Sequence, residues 1–187
     1  MRIVGGEYKG RRITAPRGHD TRPTSDRNRE SLFNILTARD DFQFENQRVI
    51  DLFAGSGALG LEAISRGASF ALFVENNASA RGAIRENIET LGLFGHTRIH
   101  RRSATQLGNK PSTIGDPFSL AFLDPPYGKN LVEPTIETLV TGGWLDPGAF
   151  IVIEKSKNEP ETLENKLSEI DQRIFGDTKI CFYRYKE

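Results

Sequence analysis

One cysteine, one tryptophan and one methionine stand among 187 residues, and the formal net charge is zero. With Cys181 alone, no internal disulfide can form and no cysteine-rich zinc cluster can be built. His19, His96 and His100 lack ligand-like spacing with it, so no metal is expected. No run approaches the roughly 18 apolar residues of a membrane span, and Met1-Arg2-Ile3-Val4-Gly5-Gly6 does not read as a secretion signal. Neither repeats nor a low-complexity linker break the chain. With 37% hydrophobic and 27% charged residues, the composition is that of a soluble globular chain. Its length suits one domain, 1–187, with a real core. A cytoplasmic monomer away from membranes is the expectation.

Zero net charge argues against a nucleic-acid partner, but the distribution of charge argues for one. Residues 1–30 hold eight Lys/Arg (Arg2, Lys9, Arg11, Arg12, Arg17, Arg22, Arg27, Arg29) against four acids (Glu7, Asp20, Asp26, Glu30), a local balance of +4. A basic patch beside a base pocket can neutralise phosphates without the whole protein being basic. Gly5-Gly6 and Gly10 break short extended pieces, which predicts a small basic hairpin or arm within 1–24, ahead of a core over 25–187.

Two motifs carry chemistry. In Val49-Ile50-Asp51-Leu52-Phe53-Ala54-Gly55-Ser56-Gly57-Ala58-Leu59-Gly60, an apolar run ends in an acid, a Gly-X-Gly bend follows, and the apolar spacing becomes helical. Strand, tight loop and helix N-terminus in that order aim backbone N–H groups at a ligand beside the carboxyl end of a strand. The same glycines match a dinucleotide fingerprint, with Glu75 twenty residues on to hold a ribose. Asp51 separates the two readings, because its carboxylate would repel a pyrophosphate and welcome an ammonium or sulfonium. S-adenosylmethionine (SAM) carries both cations, and Asp51 can meet its amino-acid end directly or through water.

The second motif is Phe118-Ser119-Leu120-Ala121-Phe122-Leu123-Asp124-Pro125-Pro126-Tyr127. Two prolines fix φ and remove two N–H donors, leaving a stiff stretch that offers acceptors without competing donors. An exocyclic amine on a base is a poor nucleophile, since its lone pair is delocalised into the ring. Hydrogen bonds from that amine to the Asp124 carboxylate and the Pro125 carbonyl would hold the nitrogen and localise the lone pair. Tyr127 supplies a flat face for stacking on the base.

Taken with Arg22-Pro23-Thr24-Ser25-Asp26-Arg27-Asn28-Arg29-Glu30-Ser31-Leu32-Phe33-Asn34, these motifs resemble the ribosomal RNA small-subunit methyltransferase D family (RsmD), from Met1 to about Tyr185. The resemblance implies a three-layer, Rossmann-like α/β fold with a mostly parallel seven-stranded sheet whose last strand is antiparallel. It implies SAM as cofactor, held by Asp51, Phe53, Ala54, Gly55, Gly57 and Glu75, with Ser103 and Ala104 at the adenine. Other members usually carry Asp or Asn where Ser103 stands here. Asp124, Pro125, Pro126 and Tyr127 would be catalytic, and Arg2, Lys9, Arg11, Arg12, Arg22 and Thr24 would meet the substrate. That substrate would be a guanine of small-subunit ribosomal RNA, naked or in a partly assembled subunit, methylated on N2. A DNA adenine or protein glutamine methyltransferase would use the same Asp-Pro-Pro-Tyr chemistry, and a non-catalytic RNA-binding or assembly factor would keep only the fold.

Elsewhere, strands are predicted at Phe70–Val74, Thr97–His100, Phe150–Ile153 and Lys179–Tyr185. Helices are predicted after Arg22-Pro23-Thr24, around Ala83–Leu91, over Leu131–Val140, and from Pro160 through Leu163, Leu167 and Ile170 at positions i, i+4 and i+7.

Overall fold

The computed structural model describes residues 1–16, 26–159, 163 and 166–186. Arg17, Arg22 and Thr24 therefore lie outside the described residues, as do Pro23 and Ser25.

Seven strands form one sheet: β1 (Arg48–Leu52), β2 (Phe70–Val74), β3 (Thr97–His100), β4 (Phe118–Leu123), β5 (Leu145–Ser156), β6 (Leu167–Phe175) and β7 (Thr178–Tyr185). The order across it is β3-β2-β1-β4-β5-β7-β6. The pairs β1–β2, β1–β4, β2–β3 and β4–β5 are parallel, while β7 runs antiparallel to both β5 and β6. The expected antiparallel last strand is thus present. Among the described residues four α-helices accompany the sheet: α1 (Asp26–Thr37), α2 (Ala58–Ser65), α3 (Ala78–Leu91) and α4 (Val132–Thr141).

Side chains on the central strands alternate between two cores, because successive Cβ atoms point to opposite faces. Val49, Phe73, Phe122 and Val152 join Phe33, Leu36, Leu61 and Ile84 on the α1–α3 face. Ile50, Leu72, Leu123 and Ile153 join Ile136, Leu139 and Trp144 on the α4 face. Both faces of the sheet are covered, which is why β1, β2 and β4 read as near-continuous apolar runs. Burying each of these large side chains contributes about 1.5–3 kcal/mol. Trp144 is wholly buried and donates its indole N–H to the Gly108 carbonyl at 2.7 Å, so its one polar atom is satisfied.

The amino-terminal hairpin forms, with Ile3 N–H on the Arg11 carbonyl (3.0 Å) and Ile13 N–H on the Met1 carbonyl (3.1 Å). It is not a free arm. Ile3 and Ile13 are buried in the core, and Val4 N–H donates to Glu62 Oε2 at 2.8 Å. Gly6, at φ +73°, lies so close to α2 that a Cβ there would stand 1.8 Å from the Ser65 carbonyl oxygen. Arg29 of α1, wholly buried, closes the junction by donating to the Arg2 carbonyl and to Asp26 Oδ1.

One expected element is corrected. The helix predicted from Pro160 does not extend through Leu167 and Ile170, which belong to the edge strand β6. The i, i+4, i+7 spacing of three apolar residues was coincidental, since only Leu163 and Leu167 are buried and Ile170 packs at partial exposure. The decisive signal is local: Gly176 at φ +64°, followed by Asp177, joins Phe175 to Thr178 as a two-residue hairpin loop. A loop of that kind pairs its flanking strands. Residues 160–162 and 164–165 lie outside the described residues.

Candidate active site

Four neighbouring strands end in acids at one edge of the sheet. Asp51 is the fourth residue of β1, while Glu75 and Asp124 directly follow β2 and β4, and Glu154 lies near the end of β5. The register pairs Leu52 with Val74 and with Leu123, and Leu123 with Ile153. Glu75, Asp124 and Glu154 therefore sit level with one another, at the row occupied by Phe53 on the central strand. Carboxyl ends of parallel strands are where open α/β sheets hold ligands, and a row of carboxylates makes this edge attractive to a cation.

The loop after β1 is shaped by backbone strain. Phe53 adopts φ +59°, rare for a residue with a Cβ, and Gly55 and Gly57 follow at +57° and +78°. Ala54 N–H bonds to the Val74 carbonyl (3.2 Å) and Gly57 N–H to the Ala54 carbonyl. This bend lays the Gly55 N–H on Glu75 Oε2 at 3.0 Å, while Glu75 Oε1 accepts from Asn77 N–H at 2.7 Å. Each oxygen of Glu75 retains lone-pair capacity for a further donor such as a ribose hydroxyl. A Cβ on Gly55 would meet nothing nearer than 3.9 Å, so the loop presents an open backbone surface.

Asp51 is only 1% exposed, and its Oδ2 accepts from Gly60 N–H in the first turn of α2 at 2.9 Å. Burial pushes its carboxyl up to about 8, against the pull of the Gly60 hydrogen bond and with a further push from the Glu75 charge. A group held this way gains most from a nearby cation, because the cation offsets the cost of ionisation. Loop and carboxylates together fit the amino-acid and ribose ends of SAM.

Asp124 is half-buried, Pro125 is buried, and Pro126 to Asn130 are exposed. Tyr127 reaches back across the sheet: its hydroxyl donates to Glu154 Oε1 at 3.1 Å and lies 3.0 Å from Thr178 Oγ1. Partial burial raises the phenol to about 12; the Thr178 bond works against this and the Glu154 charge adds to it. Tyr127 therefore stays protonated while part of its ring faces solvent.

Other expected site residues are arranged differently. Ser103 Oγ lies 2.9 Å from Thr105 Oγ1, so its hydroxyl is engaged within its own loop, and Ala104 is buried in the α4-face core. Arg2, Lys9, Arg11 and Arg12 are exposed on the hairpin. The turn that carries Lys9 and Arg11 lies away from the Asp124 loop. Arg11 donates to the Thr90 carbonyl at 2.9 Å, and the hairpin turn packs on Ser65. Both contacts lie at the carboxyl ends of helices that run back from the site, so this turn occupies the opposite end of the sheet from Asp124. A cavity of about 500 Å³ also lies at that far end, where Arg184 stacks on Phe150 and pairs with Asp41.

Four contributing residues were missed in the sequence. Gly60 passes so close to Phe73 that a Cβ would stand 2.4 Å from its ring; its signal was the third glycine of the fingerprint. Glu154 ends the apolar run Phe150-Ile151-Val152-Ile153 in an acid, the pattern already seen at Asp51, Glu75 and Asp124. Thr178 and Asn87 carried no local signal. Asn87, 1% exposed, donates to the Ser56 carbonyl of the loop (2.9 Å) and exchanges hydrogen bonds with the Thr14 backbone, tying hairpin to loop. Among the described residues no helix is long and apolar enough to cross a membrane, and no group of three or more His, Cys, Asp or Glu is placed to hold a metal ion.

Residues 1–184 match the model of a family described as Conserved hypothetical protein 95. Escherichia coli ribosomal RNA small subunit methyltransferase D is 37% identical over 185 residues, covering 98% of this chain and 89% of its own length. The Haemophilus influenzae protein of that name is 34% identical, covering 98% and 93%. The solved structure of Escherichia coli yhhF superposes with a TM-score of 0.83 at 32% identity, over 100% of this chain and 98% of that one. An rRNA methylase from Streptococcus thermophilus shares the fold alone, with a TM-score of 0.60 at 14% identity over 91% and 100%. The near-complete match in both directions, together with the acid-edged strands just described, shows that the chain belongs to the ribosomal RNA small subunit methyltransferase D family.

Proposed function

We propose that this chain methylates the exocyclic N2 amine of a guanine in small-subunit ribosomal RNA, using SAM, at the Asp124–Tyr127 loop. The observation that carries the reading is the placement of Asp124 beside the Phe53–Gly57 loop on one carboxylate-lined edge. Family membership supports a ribosomal RNA substrate.

Bound SAM supplies an electrophilic methyl on a sulfonium. Asp51 and the Gly55–Gly57 backbone would hold its amino-acid end, and Glu75 its ribose. The target base must leave its stack, costing a few kcal/mol unless its context already exposes it. Asp124 and the Pro125 carbonyl accept from the amine and aim its lone pair, Pro126 stiffens the turn, and Tyr127 covers the ring. Alignment of two reactants can supply about 7–11 kcal/mol of a barrier, so holding the amine in place outweighs base strength. Asp124 or water takes the surplus proton after transfer.

The test incubates purified protein with radiolabelled-methyl SAM and undermethylated small subunits, naked rRNA or duplex DNA, followed by nucleoside analysis. Label in N2-methylguanosine is expected. Methyladenine would replace the substrate and keep the chemistry, whereas SAM binding without transfer would favour a protein acceptor or a non-catalytic RNA-binding factor. Asp124→Ala is expected to abolish turnover and leave SAM affinity within about tenfold of wild type. Near-normal turnover in that variant would end the catalytic assignment.

A further inference from the structure

Tyr127 is a large aromatic residue at the mouth of a site, on a loop whose next three residues are exposed and which turns through Gly128 and Asn130 at φ +72° and +51°. Such a loop has little apolar packing of its own to orient a ring. What orients it is a pair of side chains from two other strands. Glu154 and Thr178 flank the β5–β7 ladder, where Glu154 pairs with Ile180 and Ser156 with Thr178. Glu154, Ile180 and Thr178 share one face, and the Tyr127 hydroxyl spans from Glu154 Oε1 to Thr178 Oγ1. A phenol has one proton, so Tyr127 donates to Glu154 and accepts from Thr178. Glu154 and Thr178 are 7% and 6% exposed, which shields both bonds from competing water.

We propose that Glu154 and Thr178 are positioning residues that anchor the far end of the Tyr127 ring through its hydroxyl, and so fix where the acceptor base lies against Asp124. Stacking alone tolerates sliding and rotation, because a π-face has no preferred azimuth. Two hydrogen bonds at the far end of the ring remove that freedom before the base arrives. The carboxylate also works as an acceptor only, so the phenol proton points away from the base and does not compete with the amine for Asp124.

This rests on reading the site as a methyltransferase, and the experiment separates the two. With the acceptor that wild type labels, kcat and KM are measured separately and SAM binding is followed by calorimetry. Tyr127→Phe keeps the ring and removes the tether; it is expected to lose roughly ten- to a hundredfold in kcat/KM with SAM affinity unchanged. Glu154→Gln, which retains an acceptor oxygen, keeps most of the wild-type rate, and Glu154→Ala falls as Tyr127→Phe does. Because both act through one bond, the double variant Tyr127→Phe/Glu154→Ala is no slower than the slower single one. Wild-type kinetics in Tyr127→Phe, or losses that multiply in the double variant, overturn the proposal. Tyr127→Phe decides alone if Glu154→Ala fails to fold. An activity-independent arm uses NMR relaxation of ring-labelled tyrosine: Tyr127 is expected to be more mobile in Glu154→Gly or Glu154→Ala than in wild type. Equal mobility overturns the tether even where wild type transfers nothing, a result that would instead remove the methyltransferase reading.

Discussion

Asp51 shows how much one residue's environment matters. Its carboxyl ionises at about 8 in the fold and near 3.8 in an open chain. The folded value is the raised one, so the native state holds a proton that the unfolded state releases across this window. Its contribution to stability is fully present below about pH 4 and is lost as pH rises through about 8. Asp51→Asn keeps an acceptor for the Gly60 N–H and never ionises. It is expected to melt with wild type near pH 4 and at least about 3 °C above it at pH 9. Differential scanning calorimetry across that range checks this, and a gap independent of pH would contradict the assignment. Local sequence named Asp51 as a loop acid, but nothing local said that it would be buried against α2.

Between β1 and α2, glycine spacing and packing are one problem. Gly60 lies where α2 crosses β2, with Phe73 behind it and the Asp51 carboxylate 3.3 Å from its absent Cβ. Gly82 on α3 has nothing within 4 Å of the same point. The two glycines should respond oppositely to alanine. Gly60→Ala is expected to cost about 1–3 kcal/mol in urea denaturation by forcing Phe73 aside. Gly82→Ala is expected to stabilise by about 0.5–1 kcal/mol through helix propensity. Most elements were legible at this scale: the β1 loop, α3 ending at Gly92, and the Phe118–Leu123 strand all declare themselves by period and by glycine. The exception was β6, whose few apolar residues fit a helical spacing. Its signal was the Gly176-Asp177 turn, which pairs it with β7 across an irregular register between Glu169 and Asp171.

For the whole molecule, zero net charge and a +4 amino-terminal segment mean that any RNA affinity must come from local patches. The hairpin turn with Lys9 and Arg11 lies at the opposite end of the sheet from Asp124, so any RNA that it touches has to extend along the α2–α3 side of the fold. Lys9→Ala and Arg12→Ala are expected to flatten the dependence of log affinity on log salt by about one each, as the loss of a phosphate contact does. The turnover rate at saturating acceptor should not change. A reduced kcat with an unchanged salt slope would place these residues in the chemistry instead. Filter binding at several salt concentrations, beside saturating kinetics, separates the two.

The sequence by itself supplied the motifs on which the proposed chemistry rests, because strand-ending acids, a Gly-X-Gly bend and Asp-Pro-Pro-Tyr are local patterns whose meaning depends on neighbours in the chain. It also determined the layer order, since apolar runs alternating with amphipathic helices can be buried in few ways. Only the tertiary structure decided which groups meet. Glu154 and Thr178 reach the Tyr127 hydroxyl from residues 27 and 51 positions further along the chain. Arg11 reaches α3 across 79. Such contacts follow from strand order and register, and a hydroxyl, a carboxylate or a guanidinium on the surface of one element bears no mark of the element it will face.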